Sequence, residues 1–137
     1  MKLIVDTNIL LKALIKDSKV RAILLNPSYQ FAVPEYALEE VERHIPLIVE
    51  KSSLSEREIK LALSILLTNM RVIPKEDVLA KWSEAEEIMG SIDKNDAPFI
   101  AASLSMSCDG IWSDDKHLKR QNRVKVWTTE DILRECT

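Results

Sequence analysis

Short apolar runs alternate with amphipathic stretches along this chain of 137 residues. Four of the apolar runs have the length of buried strands. They lie at residues 2–6, 30–33, 109–113 and 124–127. A fifth run, 71–74, is too short to assign and is either a strand fragment or a linker. The pattern therefore predicts four strands, with a fifth left open.

The stretches between these runs carry apolar residues at helical spacing. They predict helices from Asn8 onward and at 20–25, 35–44, 59–70, 76–90, 97–107 and 128–135, and a short basic helix after residue 113. We expect Asp17 to break the first helix and Pro46 to kink or restart the third. Ser55 and Glu58 have the spacing of a capping box, and Gly90 is expected to end its helix.

Strands that are separated by helices predict an α/β fold, with a mostly parallel sheet of short strands covered by helices on both faces. The sequence contains no internal repeat and no linker, so residues 1–137 are expected to form a single domain. In open sheets of this kind, the functional site lies beyond the carboxyl ends of the strands.

Composition places the chain among ordinary globular proteins, with 46% hydrophobic and 30% charged residues. Cys108 and Cys136 have no C-x-x-C spacing and are expected to be reduced thiols, with Cys108 buried. We expect no signal peptide and no transmembrane segment, because no apolar run is long enough. The cytoplasm is the expected compartment.

The net charge of −3 argues mildly against a module that only binds nucleic acid, because such modules usually carry a basic excess. It argues less against a nuclease, because site carboxylates lower the net charge while a local basic patch attracts substrate. Residues 116–125 form such a patch directly after Asp115. A solvated helix face remains the alternative explanation of this patch.

Four acidic positions lie at the edges of predicted elements: Asp6, Glu40, Asp96 and Asp115. Carboxylates that meet at one end of a sheet repel each other unless a cation holds them. Hard divalent ions such as Mg²⁺ or Mn²⁺ prefer oxygen ligands and are usual partners of phosphates. The pattern therefore predicts a metal-dependent phosphodiesterase.

Each acid also has an ordinary explanation. Asp6 and Asp96 precede helices and could simply cap them, as Asp often does. Glu40 competes with its neighbour Glu39, and helical phase favours it only slightly. Asp114 and Asp115 follow a strand together, and we expect one of them to cap the basic helix and the other to be free as a ligand.

Zinc is not expected, because His44 and His117 have too few His or Cys companions for a zinc site.

Four segments resemble the motifs of a known family, the PIN domain. They are Val5–Asn8 (VDTN), Pro34–Val41 (PEYALEEV), Asp96–Leu104 (DAPFIAASL) and Trp112–Lys116 (WSDDK). They occur in the order and at the spacing of that family, and the match runs almost from end to end. The resemblance implies a three-layer α/β/α sandwich and ribonuclease activity that depends on Mg²⁺ or Mn²⁺. Many members are VapC-type toxins of toxin–antitoxin pairs, others act in RNA processing or decay, and homodimers are common.

The resemblance also implies roles for individual residues. The catalytic acids are Asp6, Glu40, Asp96 and Asp115, with the metal held by Asp6, Asp96, Asp115 and Asp93. Thr7, Asn8 and Ser113 would orient these acids, and Lys116, Lys119, Arg120 and Arg123 would bind the RNA backbone. Expected partners are RNA, an antitoxin protein and a second copy of the chain, with no membrane.

Two other functions compete with the nuclease. A phosphotransferase with an Asp nucleophile would need a second Asp two residues after Asp6, where this chain has Asn8. A catalytically weak adaptor in RNA processing is the other alternative, although such adaptors usually lack one of the four acids.

Overall fold

The computed structural model describes residues 1–15 and 18–135, so the predictions for Asp17 and Cys136 lie outside the described residues. Five strands form one sheet: β1 (Lys2–Val5), β2 (Gln30–Pro34), β3 (Met70–Ile73), β4 (Gly110–Trp112) and β5 (Val126–Trp127). Their order across the sheet is β3-β2-β1-β4-β5, and all the pairings are parallel.

Eight α-helices surround the sheet in the described residues. They are α1 (Thr7–Ile15), α2 (Ser18–Leu24), α3 (Glu35–Lys51), α4 (Glu56–Leu67), α5 (Lys75–Ala80), α6 (Trp82–Met89), α7 (Ala97–Leu104) and α8 (Thr129–Glu135). Helices α1 to α4 pack on one another, and α5 and α6 pack with α7, which crosses β1, β2 and β4. The predicted three-layer α/β/α sandwich is confirmed.

Strand order changes direction at β1. The chain moves from β1 through β2 to β3 on one side and then returns to place β4 and β5 on the other side. Because parallel crossovers are right-handed, this reversal puts the two sets of helices on opposite faces. It also opens a crevice between the carboxyl ends of β1 and β4, which is where ligands bind in such sheets.

Several elements differ from the sequence-based prediction. Helix α3 continues through Pro46 to Lys51 without restarting, because Pro46 lies on the exposed side, where water can hydrate the carbonyl that it leaves unpaired. The helix predicted at 76–90 is divided into two at Lys81. Residues 71–73 of the open segment belong to strand β3, and Pro74 is the N-cap of α5. The basic helix is a single 3₁₀ turn at Leu118–Arg120.

Two predictions about helix ends are confirmed. Ser55 and Glu58 form the capping box of α4, and Gly90 lies at the C-terminus of α6.

The prediction that Cys108 is buried is wrong, because its side chain is half-buried. No helix in the described ranges is long and apolar enough to cross a membrane.

One glycine fixes the position of β4 between its neighbours. Gly110 has φ +139°, and an added Cβ would lie 2.3 Å from the carbonyl oxygen of Lys125. Only glycine therefore lets β4 start here without strain. The strand then runs fully buried between β1 and β5 and delivers Ser113 to the carboxyl edge of the sheet.

Candidate metal centre

The acids named from the sequence line one cavity of about 220 Å³ at the carboxyl edge of the sheet. Its lining residues are Asp6, Thr7, Asn8, Glu40, His44, Asp93, Asn95, Asp96, Phe99 and Asp115. These residues come from four separate parts of the chain, which the parallel sheet and its helices bring together. An acidic cavity of this kind attracts cations.

Asp6 lies at the bottom of the cavity, directly after β1, and only 4% of its surface is exposed. The backbone N–H of Ile9 donates a hydrogen bond to Oδ1 of Asp6 over 2.9 Å, so this carboxylate does cap α1. Val5 pairs with Trp112 in the sheet, so Ser113 follows next to Asp6 and forms a hydrogen bond with it. Burial raises the pKa of Asp6 to about 6 despite these two bonds.

Asp96 stands at the N-cap position of α7 but makes no capping hydrogen bond. Asp93 carries out the local capping instead, because its Oδ1 accepts from the backbone N–H of Asn95 at 2.9 Å. Oδ2 of Asp96 is buried and has no hydrogen-bond partner among the described residues. Burial, followed by the negative charges of Asp115 and Asp93, raises the pKa of Asp96 to about 7. Buried polar atoms are nearly always paired, so this oxygen requires a ligand or a proton.

Glu40 projects from α3 toward the start of α1. The hydroxyl of Thr7 donates a hydrogen bond to Oε1 of Glu40 over 2.7 Å. Glu39 instead forms an exposed ion pair with Lys75 and does not line the cavity. The structure therefore separates two adjacent acids that helical phase alone distinguished only slightly. Thr7 contacts Glu40 rather than Asp6, and Asn8 is exposed at the cavity rim.

The two acids after β4 also separate, although not as predicted. Asp114 turns away from the cavity, where it accepts hydrogen bonds from the backbone and hydroxyl of Thr129 and pairs with Lys12. Asp115 lines the cavity and also accepts the backbone N–H of His117 at 2.9 Å. Neither acid caps the basic segment as predicted, because the 3₁₀ turn at Leu118–Arg120 has no side-chain capping hydrogen bond.

His117 is a residue that sequence reasoning missed. Its Nδ1 lies 3.0 Å from Oδ2 of Asp93 and 3.8 Å from Oδ1 of Asp115. Asp93, Asp96, Asp115 and His117 each offer one ligand atom, and these atoms lie within 4.8 Å of one another. The signal in the sequence was the position of His117 two residues after an acid of the last motif.

The basic residues lie outside the acidic cavity. Arg120 and Arg123 line a neighbouring cavity of about 300 Å³. Lys119 forms an ion pair with Asp131 of α8 at 3.1 Å. Lys116 is exposed next to Asp115. These four basic side chains are therefore not among the residues that line the acidic cavity.

The residues of the cavity fit a divalent metal ion. Burial and mutual repulsion raise the pKa values of these carboxylates, so their charged forms raise the free energy of the folded protein. A bound cation would offset this repulsion. The unpaired Oδ2 of Asp96 provides an oxygen that such an ion would bind. Carboxylate oxygens are the preferred ligands of Mg²⁺ and suit Mn²⁺.

The chain is similar to one known protein family and to two solved structures. A family model described as the PIN domain matches residues 4–137. The structure of VapBC2 from Rickettsia felis, bound to a DNA fragment from its promoter, matches with a TM-score of 0.72 and 17% identity, covering 93% of this chain and 98% of that one. A toxin–antitoxin complex from Klebsiella pneumoniae matches with a TM-score of 0.60 and 17% identity, covering 82% and 86%. No curated protein matches significantly.

Proposed function

Because the chain belongs to the PIN domain family, we propose that it is a divalent-metal-dependent ribonuclease that hydrolyses phosphodiester bonds in single-stranded or structured RNA. We also propose that residues 1–137 act as one nuclease domain, and that the protein is the toxin of a toxin–antitoxin pair. A catalytically weak adaptor is less well supported, because Asp6, Glu40, Asp96 and Asp115 are all present around one cavity.

The observation that carries this proposal is the environment of Asp96. Its carboxylate is 8% exposed, is surrounded by other acids and has one oxygen with no hydrogen-bond partner within the described part of the chain. If this position served only the stability of the fold, we would expect the oxygen to have a hydrogen-bond partner or the residue to be uncharged. A site that binds cations explains both the unpaired oxygen and the surrounding negative charge.

Asp6, Asp96, Asp115 and Asp93 are the residues that would hold Mg²⁺ or Mn²⁺. A bound divalent ion lowers the pKa of a coordinated water and stabilises negative charge on a phosphate. Asp6 is held in place by Ile9 and Ser113, and Asp115 by the hydroxyl of Ser113, which accepts its backbone N–H at 3.0 Å. The carboxylate of Asp115 itself accepts the backbone N–H of His117, so hydrogen bonds position both carboxylates before any substrate arrives.

Glu40 is proposed to accept a proton from the attacking water. The hydroxyl of Thr7 donates a hydrogen bond to Oε1 of Glu40, and the side chain of Tyr36 also forms a hydrogen bond with this carboxylate. A positioned carboxylate of this kind contributes about 10²- to 10⁴-fold in general base catalysis. Thr7 is thus a positioning residue for Glu40.

Lys116, Lys119, Arg120 and Arg123 are proposed to bind the backbone of the RNA. Contacts of this type attract nucleic acid without reading its sequence, and they weaken as salt concentration rises. Arg120 and Arg123 line a cavity of their own, and Lys116 follows Asp115 directly in the chain.

Protein partners are proposed as well: an antitoxin and a second copy of the chain. One of the two similar structures is itself a toxin–antitoxin complex. Two apolar surfaces are available for such contacts. Leu61 and Ile65 are exposed beside one groove, and Leu79 is exposed beside another that Trp82 also lines. Co-purification with the product of the adjacent gene, and light scattering of the purified protein, test the two partners separately.

Cleavage of single-stranded RNA tests the nuclease directly. The wild-type protein is expected to cut RNA with Mn²⁺ or Mg²⁺ and to stop when EDTA is added. Asp6→Asn and Asp96→Asn are expected to abolish cleavage, whereas Asp114→Asn is the matched control because it removes an acid outside the cavity. Absence of cleavage with every divalent ion, or equal cleavage by the Asp6 and Asp96 variants, rules the proposal out.

A further inference from the structure

We propose that His117 is a metal ligand of this protein, so that Asp93, Asp96, Asp115 and His117 form a mixed nitrogen and oxygen site that binds Mn²⁺ or Co²⁺ in preference to Mg²⁺. The inference rests on the proposed function for the presence of a divalent ion. It goes beyond that function by adding an imidazole to a set of carboxylates and by naming the class of ion that such a set selects.

The first support is the separation of the ligand atoms. Nδ1 of His117 lies 3.0 Å from Oδ2 of Asp93. Two adjacent ligands of an octahedral ion, with bonds of about 2.1 Å at right angles, lie about 3.0 Å apart. The larger separations in the group, up to 4.8 Å, need only small side-chain movements to close around an ion.

The second support is the unpaired oxygen of Asp96. This residue belongs to the same group of four as His117, and its Oδ2 is buried with no hydrogen-bond partner among the residues described. The group is therefore more than a collection of exposed acids. One of its residues, Asp96, carries a buried carboxylate oxygen without a hydrogen-bond partner in the described ranges.

The third support is the way in which the imidazole is held. The hydroxyl of Ser113 accepts the backbone N–H of Asp115, and Oδ1 of Asp115 accepts the backbone N–H of His117 at 2.9 Å. Asp93 is fixed by the backbone N–H of Asn95, which leaves its Oδ2 facing His117. A chain of contacts from the end of β4 thus positions the histidine beside the acids. Residues that orient ligands in this way commonly accompany metal sites.

The chemistry of the ligand gives the selectivity. Imidazole suits transition ions, whereas Mg²⁺ is bound almost entirely through oxygen. A site with three carboxylates and an imidazole would therefore bind Mn²⁺ or Co²⁺ more tightly than a site with carboxylates alone. The affinity for Mg²⁺ would change little when the imidazole is removed.

Pulsed electron paramagnetic resonance of the Mn²⁺-loaded full chain tests this assignment, because a coordinated imidazole nitrogen modulates the echo of the bound ion. The chain has two histidines, and His44 also lines the acidic cavity, so His44→Ala is a matched control. We expect nitrogen modulation in the wild-type protein and in His44→Ala, and its loss in His117→Ala. Calorimetric titration is expected to show that His117→Ala weakens Mn²⁺ and Co²⁺ binding by about tenfold or more and leaves Mg²⁺ binding within about twofold.

Each contrary result has a distinct meaning. Bound Mn²⁺ without nitrogen modulation, or modulation that survives in His117→Ala, overturns the role of His117 and reduces its contact with Asp93 to a hydrogen bond. Equal losses of Mg²⁺ and Mn²⁺ affinity in His117→Ala also overturn it. Failure of the wild-type protein to bind any divalent ion instead removes the proposed function. Circular dichroism of both variants, expected to match the wild type, excludes misfolding as the cause.

Discussion

Thr7 and Glu40 are joined by a hydrogen bond of 2.7 Å that connects the first turn of α1 to the second turn of α3. The two residues lie 33 positions apart in the sequence and meet at the wall of the acidic cavity. Glu39, one position away, points to Lys75 instead. A contact of this kind selects one of two adjacent glutamates for the site.

Glu40→Gln is expected to lower the rate of RNA cleavage by about 10²- to 10⁴-fold, because an amide cannot accept the proton of the attacking water. Glu39→Gln is the matched control and should retain the wild-type rate, since it loses only an exposed ion pair. Steady-state cleavage of a fluorescent RNA measures both. Equal rates in the two variants would remove Glu40 from the proposed mechanism.

Asp115→Asn and Asp114→Asn should behave in opposite ways although the residues are adjacent. The first is expected to weaken Mn²⁺ binding by at least tenfold, because it removes a carboxylate from the cavity. The second is expected to retain metal affinity and to lose about 1 kcal/mol of stability, since Asp114 holds Thr129 and Lys12. Calorimetric titration and urea denaturation separate the two effects.

The stability of the metal-free protein is expected to fall as pH rises from about 4 to about 7. The pKa values of Asp6 and Asp96 are raised from 3.8 to about 6 and about 7, so the native state binds more protons than the unfolded chain in this range. Their contribution is complete below pH 4 and is lost as pH rises through the native pKa values. For Asp6 alone, the free energy of unfolding is expected to fall by roughly 3 kcal/mol over this pH range.

Urea denaturation in EDTA at several pH values measures this effect. Asp6→Asn should reduce the slope of stability against pH, because an amide does not titrate. Saturating Mn²⁺ should also reduce it, because a bound ion favours the ionised carboxylates of the native state. A metal-free stability that rises between pH 4 and 7 contradicts the prediction.

Two substitutions at Asp6 separate the role of its negative charge from the role of its hydrogen bond at the N-terminus of α1. Asp6→Asn keeps an acceptor for the backbone N–H of Ile9, whereas Asp6→Ala removes it. We expect Asp6→Ala to be less stable than Asp6→Asn by about 1 kcal/mol, and both to lack cleavage activity. Thermal denaturation in EDTA gives the difference. Similar stabilities would mean that the capping bond contributes little.

Arg120→Ala and Arg123→Ala are expected to weaken RNA binding and to lower the slope of log affinity against log salt by about 0.7 each. Lys119→Ala should change the slope less, because Lys119 is already paired with Asp131. Lys60→Ala, which removes a surface lysine of α4, is the control. Binding of single-stranded RNA in EDTA at several salt concentrations gives the slopes without cleavage.

The sequence predicted the parallel sheet and its helices because short apolar runs and helical spacing are local signals. The match to the PIN domain confirms the family resemblance drawn from the four motifs. The division of the 76–90 helix at Lys81 and the continuation of α3 through Pro46 were not predicted. Both depend on how each helix packs and which side is exposed, which spacing does not specify.

The site was predicted as a set of residues but not as a set of contacts. Chain order indicated that Asp6, Glu40, Asp96 and Asp115 share an edge of the sheet. The separate roles of Asp93 and Asp96 could not be read from their spacing, because either acid can cap the same turn. The ring of His117 reaches the acids only through a turn formed by Asp115, and a lone histidine gives no sign of this.

The pairing of β1 with β4 brings together Asp6 and Asp115, which are synthesised at different times. Asp115 follows Asp6 in the chain after about a hundred residues, whose synthesis takes on the order of 5–20 s. Until then β1 has β2 as its neighbour but lacks β4, so the acidic cavity has no closed wall. The proposed metal site therefore cannot be complete until β4 has been synthesised and has paired with β1.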